Sequence, residues 1–297
     1  MAQVSRCDEL AAHPKDPART NSGVSMERML LPQALEACSN AMTQNPIPRI
    51  KYQYARTLSK QGHYKEALQH FKDAASEGYS MAYFNIAHAY LFGDGVPVDH
   101  KKSFYWFMKA AKEGIANAQN EVGLFYFTGG VIGKNFNKAK FWFEKAALQD
   151  EPLALRNLGI MYSEGMGVRR NSSQAFKYWL RAANLGDADS QYNVALFYTK
   201  GIAVRLNWKR AETWYKKAIA QGHRRAMYNL ALLYDSLLFQ PVKATQMLKY
   251  LANSSGPMKY EARRELKNKQ SRSRTPLPSG PKNTGFCEGW MALDPNC

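Results

Sequence analysis

The sequence lacks cysteine throughout its central part. Two cysteines, Cys7 and Cys38, precede residue 39, and the other two, Cys287 and Cys297, follow residue 286. Four cysteines permit three pairings, and sequence separation favours Cys7 with Cys38 and Cys287 with Cys297. Disulfides imply an oxidising compartment, so we expect a periplasmic or secreted protein. The first ten residues contain no apolar signal stretch, which leaves two alternatives: a mature form with a start Met added, or a cytoplasmic protein with free thiols.

Long apolar runs and acidic charge are also scarce. No window offers the roughly 18 consecutive apolar residues that a membrane span needs, so we expect no integral membrane protein. Lys and Arg number 41 against 24 Asp and Glu, and the resulting net charge of +17 favours an acidic partner, an anionic surface or a nucleic acid. The densest basic stretches are 200–225 and 259–274, and a solvated helix face is their plainer interpretation.

Motifs for catalysis and for cofactor binding are absent. The six histidines are scattered, and neither an HExxH nor a CxxC spacing occurs to hold a metal. A phosphate loop of the GxxxxGK type is missing. The one S-x-x-K spacing, Ser279 to Lys282, lies in a Pro/Gly-rich tail that cannot position a nucleophile. We therefore predict that the protein is not an enzyme and has no cofactor and no metal site.

What the sequence does contain is a tyrosine at a period of 36 residues. The periodic tyrosines are Tyr90, Tyr126, Tyr162, Tyr198 and Tyr234. Each has an aliphatic residue four positions earlier and a small residue three positions earlier. A fixed period of this size is typical of stacked helical repeats. Since the three positions share one helical face, we expect that face, including the tyrosines, to be core.

The period also predicts how the chain is organised. An irregular stretch (1–25) and a capping helix occupy 1–46, followed by a shorter repeat at 47–78, five full repeats at 79–256, a capping helix at 257–269 and a basic Pro/Gly-rich tail at 270–297. Residues 270–284 have a disordered composition. We expect the remainder of the tail to be ordered only if its two cysteines pair.

The repeated motif resembles a known family. It reads Ala82-x3-Ile86-Ala87-x2-Tyr90-x2-Gly93-x-Gly95-Val96 and ends in Trp106-x2-Lys109-Ala110-Ala111-x2-Gly114. This pattern is similar to the Sel-one-like repeat, a relative of the tetratricopeptide repeat with a longer loop. The resemblance implies an all-α fold, a right-handed α-solenoid of antiparallel helix pairs that serves as an adaptor surface for other proteins. The segment from Cys7 to Pro17 also looks like the entry segment of exported bacterial members.

An asparagine recurs just before the aliphatic position of the repeat. These residues are Asn85, Asn157, Asn193 and Asn229, with Glu121 in the remaining repeat. Asn is a mediocre helix former, so its recurrence suggests a hydrogen-bonding role. One interpretation is a ladder on the concave face that grips the backbone of an extended peptide, as the resemblance suggests. The other is that each amide ties its helix to a neighbouring backbone group.

The position before each asparagine is a second candidate for partner binding. Its occupants are Phe84, Asn120, Arg156, Tyr192 and Tyr228. Tyr and Arg are enriched where proteins bind one another, so these side chains suit recognition. Packing between adjacent helices would explain them equally well.

Together these features predict a monomeric, non-enzymatic scaffold that binds a protein or peptide of unknown identity on its concave surface. Such an adaptor would regulate signalling or envelope processes. One alternative is binding of a nucleic acid or anionic surface through the basic face, although no base-reading pair recurs in each repeat. A cell-wall or antibiotic hydrolase is the remaining class considered.

Overall fold

The structure is a computed structural model that describes residues 6–14 and 24–274, with side chains described as far as residue 271. Within these residues all the regular secondary structure is helical, which confirms the predicted all-α class. The helices are α1 (Arg6–Ala11), α2 (Leu31–Gln44), α3 (Pro48–Gln61), α4 (Tyr64–Ser76), α5 (Met81–Phe92), α6 (His100–Lys112), α7 (Ala116–Thr128), α8 (Phe136–Ala147), α9 (Pro152–Glu164), α10 (Ser172–Asn184), α11 (Ala188–Lys200), α12 (Trp208–Ala220), α13 (Arg224–Ser236), α14 (Pro241–Asn253) and α15 (Lys259–Arg274). A 3-10 turn, Gly130–Ile132, lies between α7 and α8.

The chain divides into two compact units, Met1–Asn207 and Trp208–Cys297. In the first unit, α3 packs on α4, α5 on α6, α7 on α8 and α9 on α10, and each pair also packs on the next. In the second unit, α12, α13, α14 and α15 pack in the same sequential manner. We call the tyrosine-bearing helices α5, α7, α9, α11 and α13 the first helices, and α6, α8, α10, α12 and α14 the second helices.

The loop inside each repeat is fixed by the residue that precedes the second helix. The side chains of Asp99, Asn135 and Asn171 each accept a hydrogen bond from the backbone N–H three residues later, which caps the helix. Their own backbone N–H groups donate to the carbonyl of the periodic tyrosine nine residues earlier, over 2.9, 2.8 and 2.8 Å. The periodic tyrosine therefore sets the register of the loop as well as the core.

The tyrosine rings lie against the core, as predicted. Three of the five are buried and two are half-buried. Lysines of the second helices cover three of the rings: Lys102 Nζ lies 5.5 Å from the ring centroid of Tyr90, Lys138 Nζ 5.2 Å from that of Tyr126 and Lys243 Nζ 5.6 Å from that of Tyr234. Each such cation–π contact stabilises by about 0.5–1 kcal/mol at exposed sites. The basic residues of the repeat thus have a structural role in addition to their charge.

The turn between repeats uses a residue in the left-handed conformation. Gly78, Gly114 and Gly186 end their repeats with φ of 88°, 86° and 100°. Asp150 adopts the same conformation with φ of 56°, and its carboxylate accepts a hydrogen bond from Arg181 Nε at 2.7 Å. Asp tolerates this region better than most side chains, so the period is kept without glycine.

Two first helices have glycine at the small-residue position because an aromatic ring fills the space. A Cβ on Gly123 would lie 2.6 Å from the ring of Phe143, and one on Gly159 would lie 2.3 Å from Nε1 of Trp179. The indole is held in place because its Nε1–H donates to the Arg156 carbonyl at 3.2 Å. In the first repeat the small residue is Ala87, which shares a core cluster with Phe107, and both side chains are buried.

We expect Gly159→Ala to destabilise the protein by about 1–3 kcal/mol through overpacking. Helix propensity alone predicts the opposite sign, since Ala in a helix is better than Gly by roughly 0.5–1 kcal/mol. The interaction free energy between positions 159 and 179 is measured by denaturant unfolding of the single variants Gly159→Ala and Trp179→Phe and of the double variant. The double variant should recover part of the loss, whereas a gain of stability in Gly159→Ala alone would contradict the packing account.

The N-terminal segment is more ordered than the sequence indicates. Residues 6–11 form α1, so the prediction of an irregular chain is wrong there. Cys7 on α1 and Cys38 on α2 form the predicted disulfide, with their Cα atoms 4.6 Å apart. Both are fully buried, together with Ala11, and this apolar contact is the reason why so short a helix is ordered. The other predicted pair, Cys287 with Cys297, lies outside the described residues.

Two buried charges join α1 to α3. Asp8 accepts hydrogen bonds from Gln53 Nε2 and Arg49 Nη2, both at 2.7 Å. The guanidinium of Arg56 donates to the backbone carbonyls of Ala11 and Val24. Buried charges need such partners, because an uncompensated charge in the interior is strongly destabilising. The N-terminal segment is therefore packed on the array through specific polar contacts.

The C-terminal helix is longer than the sequence indicates. α15 continues to Arg274, five residues beyond the predicted end of the capping helix at 269. Residues 270–274 contain no Gly or Pro, and the first Pro is Pro276, so nothing in that stretch breaks the helix. The rest of the tail lies outside the described residues, and the predicted unit boundaries as a whole stay predictions.

Candidate functional site

The nine candidate partner-binding residues occupy equivalent places on five first helices. They are Phe84 and Asn85 on α5, Asn120 on α7, Arg156 and Asn157 on α9, Tyr192 and Asn193 on α11, and Tyr228 and Asn229 on α13. Asn120 is buried, with 2% of its surface exposed, and the other eight are half-buried. Seven belong to the first unit and two to the second. We call the seven residues and Glu121 the amide face of the first unit.

Two neighbouring repeats are joined through this face. Asn157 Nδ2 donates to Asn120 Oδ1 at 3.0 Å, and Asn120 Nδ2 donates to Glu121 Oε1 at 3.2 Å. Each of these hydrogen bonds joins two side chains. The interpretation that each asparagine ties its helix to a neighbouring backbone group would instead require a bond to the backbone. The amides at this point form a polar chain that runs from one repeat to the next.

Arg156 and Tyr228 are engaged in contacts within their own units. Arg156 Nη1 lies 3.1 Å from Asp187 Oδ2 and 2.6 Å from Asp189 Oδ2. Tyr228 packs against a core formed by α13, α14 and α15. Burial raises the pKa of the Tyr228 phenol, with Glu265 adding to the shift, while Arg264 opposes it through its charge and a hydrogen bond. These two side chains have packing and ion-pair roles.

Phe84 and Asn85 together separate two cavities of the first unit. The smaller cavity has a volume of about 350 Å³ and the larger about 400 Å³, and both residues line both cavities. The other residues around the smaller cavity are Met26, Ser59, Tyr64, Leu68, Phe71, His88, Ala89 and Asp94. The larger cavity is completed by His13, Tyr52, Ser80, Met81, Glu113, Gly114, Ile115, Ala116, Asn117 and Gln149. Aromatic and apolar side chains and a few polar groups make these walls typical of binding sites.

His88, which the sequence analysis did not single out, lies beside Phe84. Its imidazole ring is 4.5 Å from the ring of Phe84 and 5.3 Å from that of Phe107. Burial lowers the pKa of His88, although Asp94 opposes the shift. The imidazole is therefore neutral at pH 7 and contributes a flat, largely apolar wall. Its place in the motif, three residues after Asn85, would have marked it as part of the same face.

Glu121 stands where the other repeats have asparagine. Burial raises the pKa of its carboxyl group, and the negative charge of Glu151 adds to the shift, while the hydrogen bond from Asn120 opposes it. Glu121 is only half-buried. The nearby charge of Glu151, the smallest of these three effects, has the same sign as that of Glu121.

Glutamines at a second periodic position have purely structural contacts, and the sequence analysis missed them. Gln119 and Gln191 are buried, and each donates from Nε2 to a backbone carbonyl eight residues earlier, at 3.2 Å. Gln149 Nε2 donates to Gln119 Oε1 at 2.9 Å and to the Gly114 carbonyl at 2.8 Å. These bonds hold the end of one repeat on the beginning of the next, and Gln149 and Gly114 also line the larger cavity.

The amide face offers hydrogen-bond donors and acceptors, aromatic surface and one carboxylate. In the part of the chain that the structure describes, no three His, Cys, Asp or Glu side chains converge as a metal site would require. None of the described helices combines the length and the apolar composition needed to cross a bilayer.

The stacked helix pairs by themselves indicate a class of protein, the tetratricopeptide-like α-solenoids. The Sel1 repeat pattern matches five consecutive stretches, residues 80–115, 116–151, 152–187, 188–223 and 224–246. These stretches cover more than half of the chain, and the chain belongs to the Sel1 repeat family. This confirms the resemblance. Members of the family generally act as protein–protein interaction scaffolds without catalytic activity.

Two solved structures illustrate the relationship. A Sel1 repeat protein from Oxalobacter formigenes is 24% identical with a TM-score of 0.62, and the match covers 73% of this chain and 98% of that one. The protective antigen c5321 of uropathogenic Escherichia coli is 27% identical with a TM-score of 0.66. That match covers 82% of this chain and 52% of the antigen, so it spans about half the antigen's length. A search of curated proteins found no match.

Proposed function

We propose that the amide face of the first unit binds an extended segment of a partner protein and that the chain acts as an adaptor. The observation that carries this proposal is the placement of Phe84 and Asn85 between two cavities. A side chain of the partner would enter a cavity beside Phe84. The amide of Asn85 would then hydrogen-bond the partner's backbone, which offers one donor and one acceptor in each residue.

The size of the cavities supports a side-chain anchor. Their volumes of about 350 and 400 Å³ fall at the lower end of the range for ligand pockets. They would admit one or two apolar or aromatic side chains. Recognition of this kind concentrates affinity in a few anchors and leaves the surrounding contacts nearly neutral.

Glu121 suggests which chemical group the partner presents. A half-buried carboxylate beside Glu151 is destabilised by burial and by its neighbour, and a cation from the partner would relieve both effects. We therefore propose that the bound segment carries a Lys or Arg side chain close to its apolar anchor. Glu121 is then the residue that distinguishes this face from one lined by asparagine alone.

The test is selection of a random peptide library on the purified chain. Enriched peptides should combine an apolar residue with a Lys or Arg. Asn85→Ala should weaken their binding about 5- to 10-fold, since one hydrogen bond contributes about 1 kcal/mol. Asn137→Ala, an exposed asparagine of α8, is the matched control and should bind normally. The proposal fails if no peptide is enriched or if both variants bind as the wild type does.

Peptide binding should also depend on pH through Glu121. Its folded pKa lies above the ordinary value of 4.5, so the folded chain holds this proton more tightly than the unfolded chain. The tighter binding of this proton stabilises the folded chain. That contribution to the free energy of unfolding is present below pH 4.5 and is lost as the pH rises through the folded pKa. A bound cation lowers that pKa, so affinity should increase over the same pH window.

Glu121→Gln keeps the acceptor for Asn120 and removes the charge. It should abolish this pH dependence of binding and reduce affinity at pH 7 by about tenfold, while leaving stability at pH 7 equal or higher. Titration calorimetry at several pH values and thermal unfolding check both points. Unchanged affinity for a Lys-containing peptide would show that Glu121 does not contact the cation.

The disulfide between Cys7 and Cys38 supports export to an oxidising compartment. We propose a periplasmic or secreted location on that basis, with a role in envelope or signalling processes, and a monomeric state. Alkylation of the natively expressed protein before reduction, followed by mass measurement, tests the location. Protected Cys7 and Cys38 would support export, and free thiols at both positions would point to the cytoplasm.

A further inference from the structure

Positive charge in the repeats of the first unit is concentrated on the second helices. Helices α6, α8 and α10 together carry nine Lys and Arg and one acidic residue, whereas α5, α7, α9 and α11 carry two basic and three acidic residues. The single acidic residue, Glu144, is paired with Lys140 at 2.6 Å. The basic residues of these repeats are therefore concentrated on the second helices, whereas the amide face lies on the first helices.

The exposed part of each second helix forms a stripe at spacing i, i+4 and i+7, which places its members on one helical face. We define the second-helix stripe by Tyr105, Lys109 and Lys112 on α6, Phe141, Lys145 and Leu148 at α8, and Lys177, Arg181 and Asn184 on α10. Its apolar members are strongly exposed: Tyr105 by 53%, Phe141 by 49% and Leu148 by 81%.

The three helices of the stripe are neighbours. Trp142 of α8 packs against the core that contains Phe107 and Ala110 of α6. Tyr178 of α10 packs against the core of α8. Arg181 of the stripe also lies 2.7 Å from Asp150, two residues beyond Leu148. The exposed cations and apolar side chains therefore form one surface and are not scattered singly.

Lysines and rings alternate closely within this surface. Lys109 Nζ lies 5.2 Å from the ring centroid of Tyr105, and Lys145 Nζ lies 4.8 Å from that of Phe141. Alternation of cations with aromatic and aliphatic side chains is the composition of surfaces that lie in the headgroup region of a bilayer. There the lysines attract anionic lipids, and the apolar side chains enter the boundary of the acyl chains.

We propose that the second-helix stripe docks the protein on an anionic lipid bilayer. A nucleic acid is the other polyanion that this charge would suit, but two observations favour the bilayer. The lysines lie over the exposed rings, where bases would otherwise stack. Leu148, the most exposed apolar side chain of the stripe, has no aromatic ring on which a base could stack. The proposal does not depend on the amide face.

The test is binding of the full chain to phosphatidylcholine vesicles with and without phosphatidylglycerol. Binding should require the anionic lipid and weaken with salt. Lys177→Glu changes the charge by two units and should reduce binding roughly 30-fold, since each unit of charge near the surface contributes about 1 kcal/mol. Lys200→Glu on α11 makes the same change in net charge away from the stripe, and it should lose no more than about threefold.

Leu148→Ser separates a bilayer from a nucleic acid. The side chain is exposed, so its removal should leave folding unchanged while vesicle binding falls about tenfold. Leu30→Ser, another exposed leucine of the first unit, should bind vesicles normally. Binding to single-stranded RNA without binding to anionic vesicles, no binding to vesicles, or full vesicle binding by Leu148→Ser would each overturn the proposal.

Discussion

Replacing Cys7 and Cys38 together with serine is expected to lower the free energy of unfolding by about 3–4 kcal/mol. The bridge joins residues 31 apart in sequence, and closing a loop of that length in the unfolded chain gives this magnitude in the chain-entropy account. The loss should be localised, because the bridge anchors α1 and α2. Hydrogen exchange should show lost protection in α1 to α3 and little change in α9 and α10.

Reduction of the wild type is the control for this variant. Treatment with a thiol reductant should bring the wild-type unfolding curve to that of the double-serine chain measured under the same reducing conditions. The variant retains Cys287 and Cys297, so any further shift on reduction would report on that pair. Coincident curves for oxidised wild type and variant would show that the bridge between Cys7 and Cys38 does not stabilise the fold.

Gly95→Ala is expected to destabilise the first unit by about 3 kcal/mol or more. Gly95 has φ of 73°, and a Cβ there would lie 2.5 Å from the backbone N of Lys65 and 2.6 Å from the backbone C of Tyr64. The left-handed conformation contributes about 1–2 kcal/mol, and overpacking adds about 1–3 kcal/mol. Because the overlap is with backbone atoms, no side-chain rotation can relieve it. Denaturant unfolding measures the loss.

Gly78→Ala is the matched variant. Gly78 has a similar φ of 88°, but nothing lies within 4 Å of a Cβ built there. Its substitution should therefore cost only the conformational part, about 1–2 kcal/mol. The difference between the two variants isolates the contact of the loop with the start of α4. Equal losses of unfolding free energy in the two variants would show that this contact leaves room for a methyl group.

The periodic tyrosines, and the aliphatic and small residues before them, were sufficient to predict the helix pairs and most of the core. Such positions are decided by local periodicity, which every repeat reinforces. The left-handed Asp150 also follows from the period alone, because the turn recurs at that place whatever the residue.

Contacts between distant segments were not predictable in this way. α1 is ordered because Arg56 and the bridged Cys7 hold it, and both contacts join residues separated by 31 or more positions. The pairing of Asn157 with Asn120 depends on how two helices lie against each other, which single-helix patterns do not specify. His88 is an intermediate case: its contact with Phe84, four residues earlier on α5, follows from helix periodicity, whereas its contact with Phe107 on α6 does not.

The hydrogen bond from each capping residue to the tyrosine nine residues before it has a consequence for variation among repeats. The span is nine residues in four consecutive repeats, the fourth joining Asn207 to Tyr198, and six in the last, where Gln240 donates to Tyr234. Between those two fixed points the loop sequences differ freely. Loops of nine-residue span can thus be exchanged between those repeats without changing the two bonded groups, and the last repeat shows that a shorter loop can make the same bond.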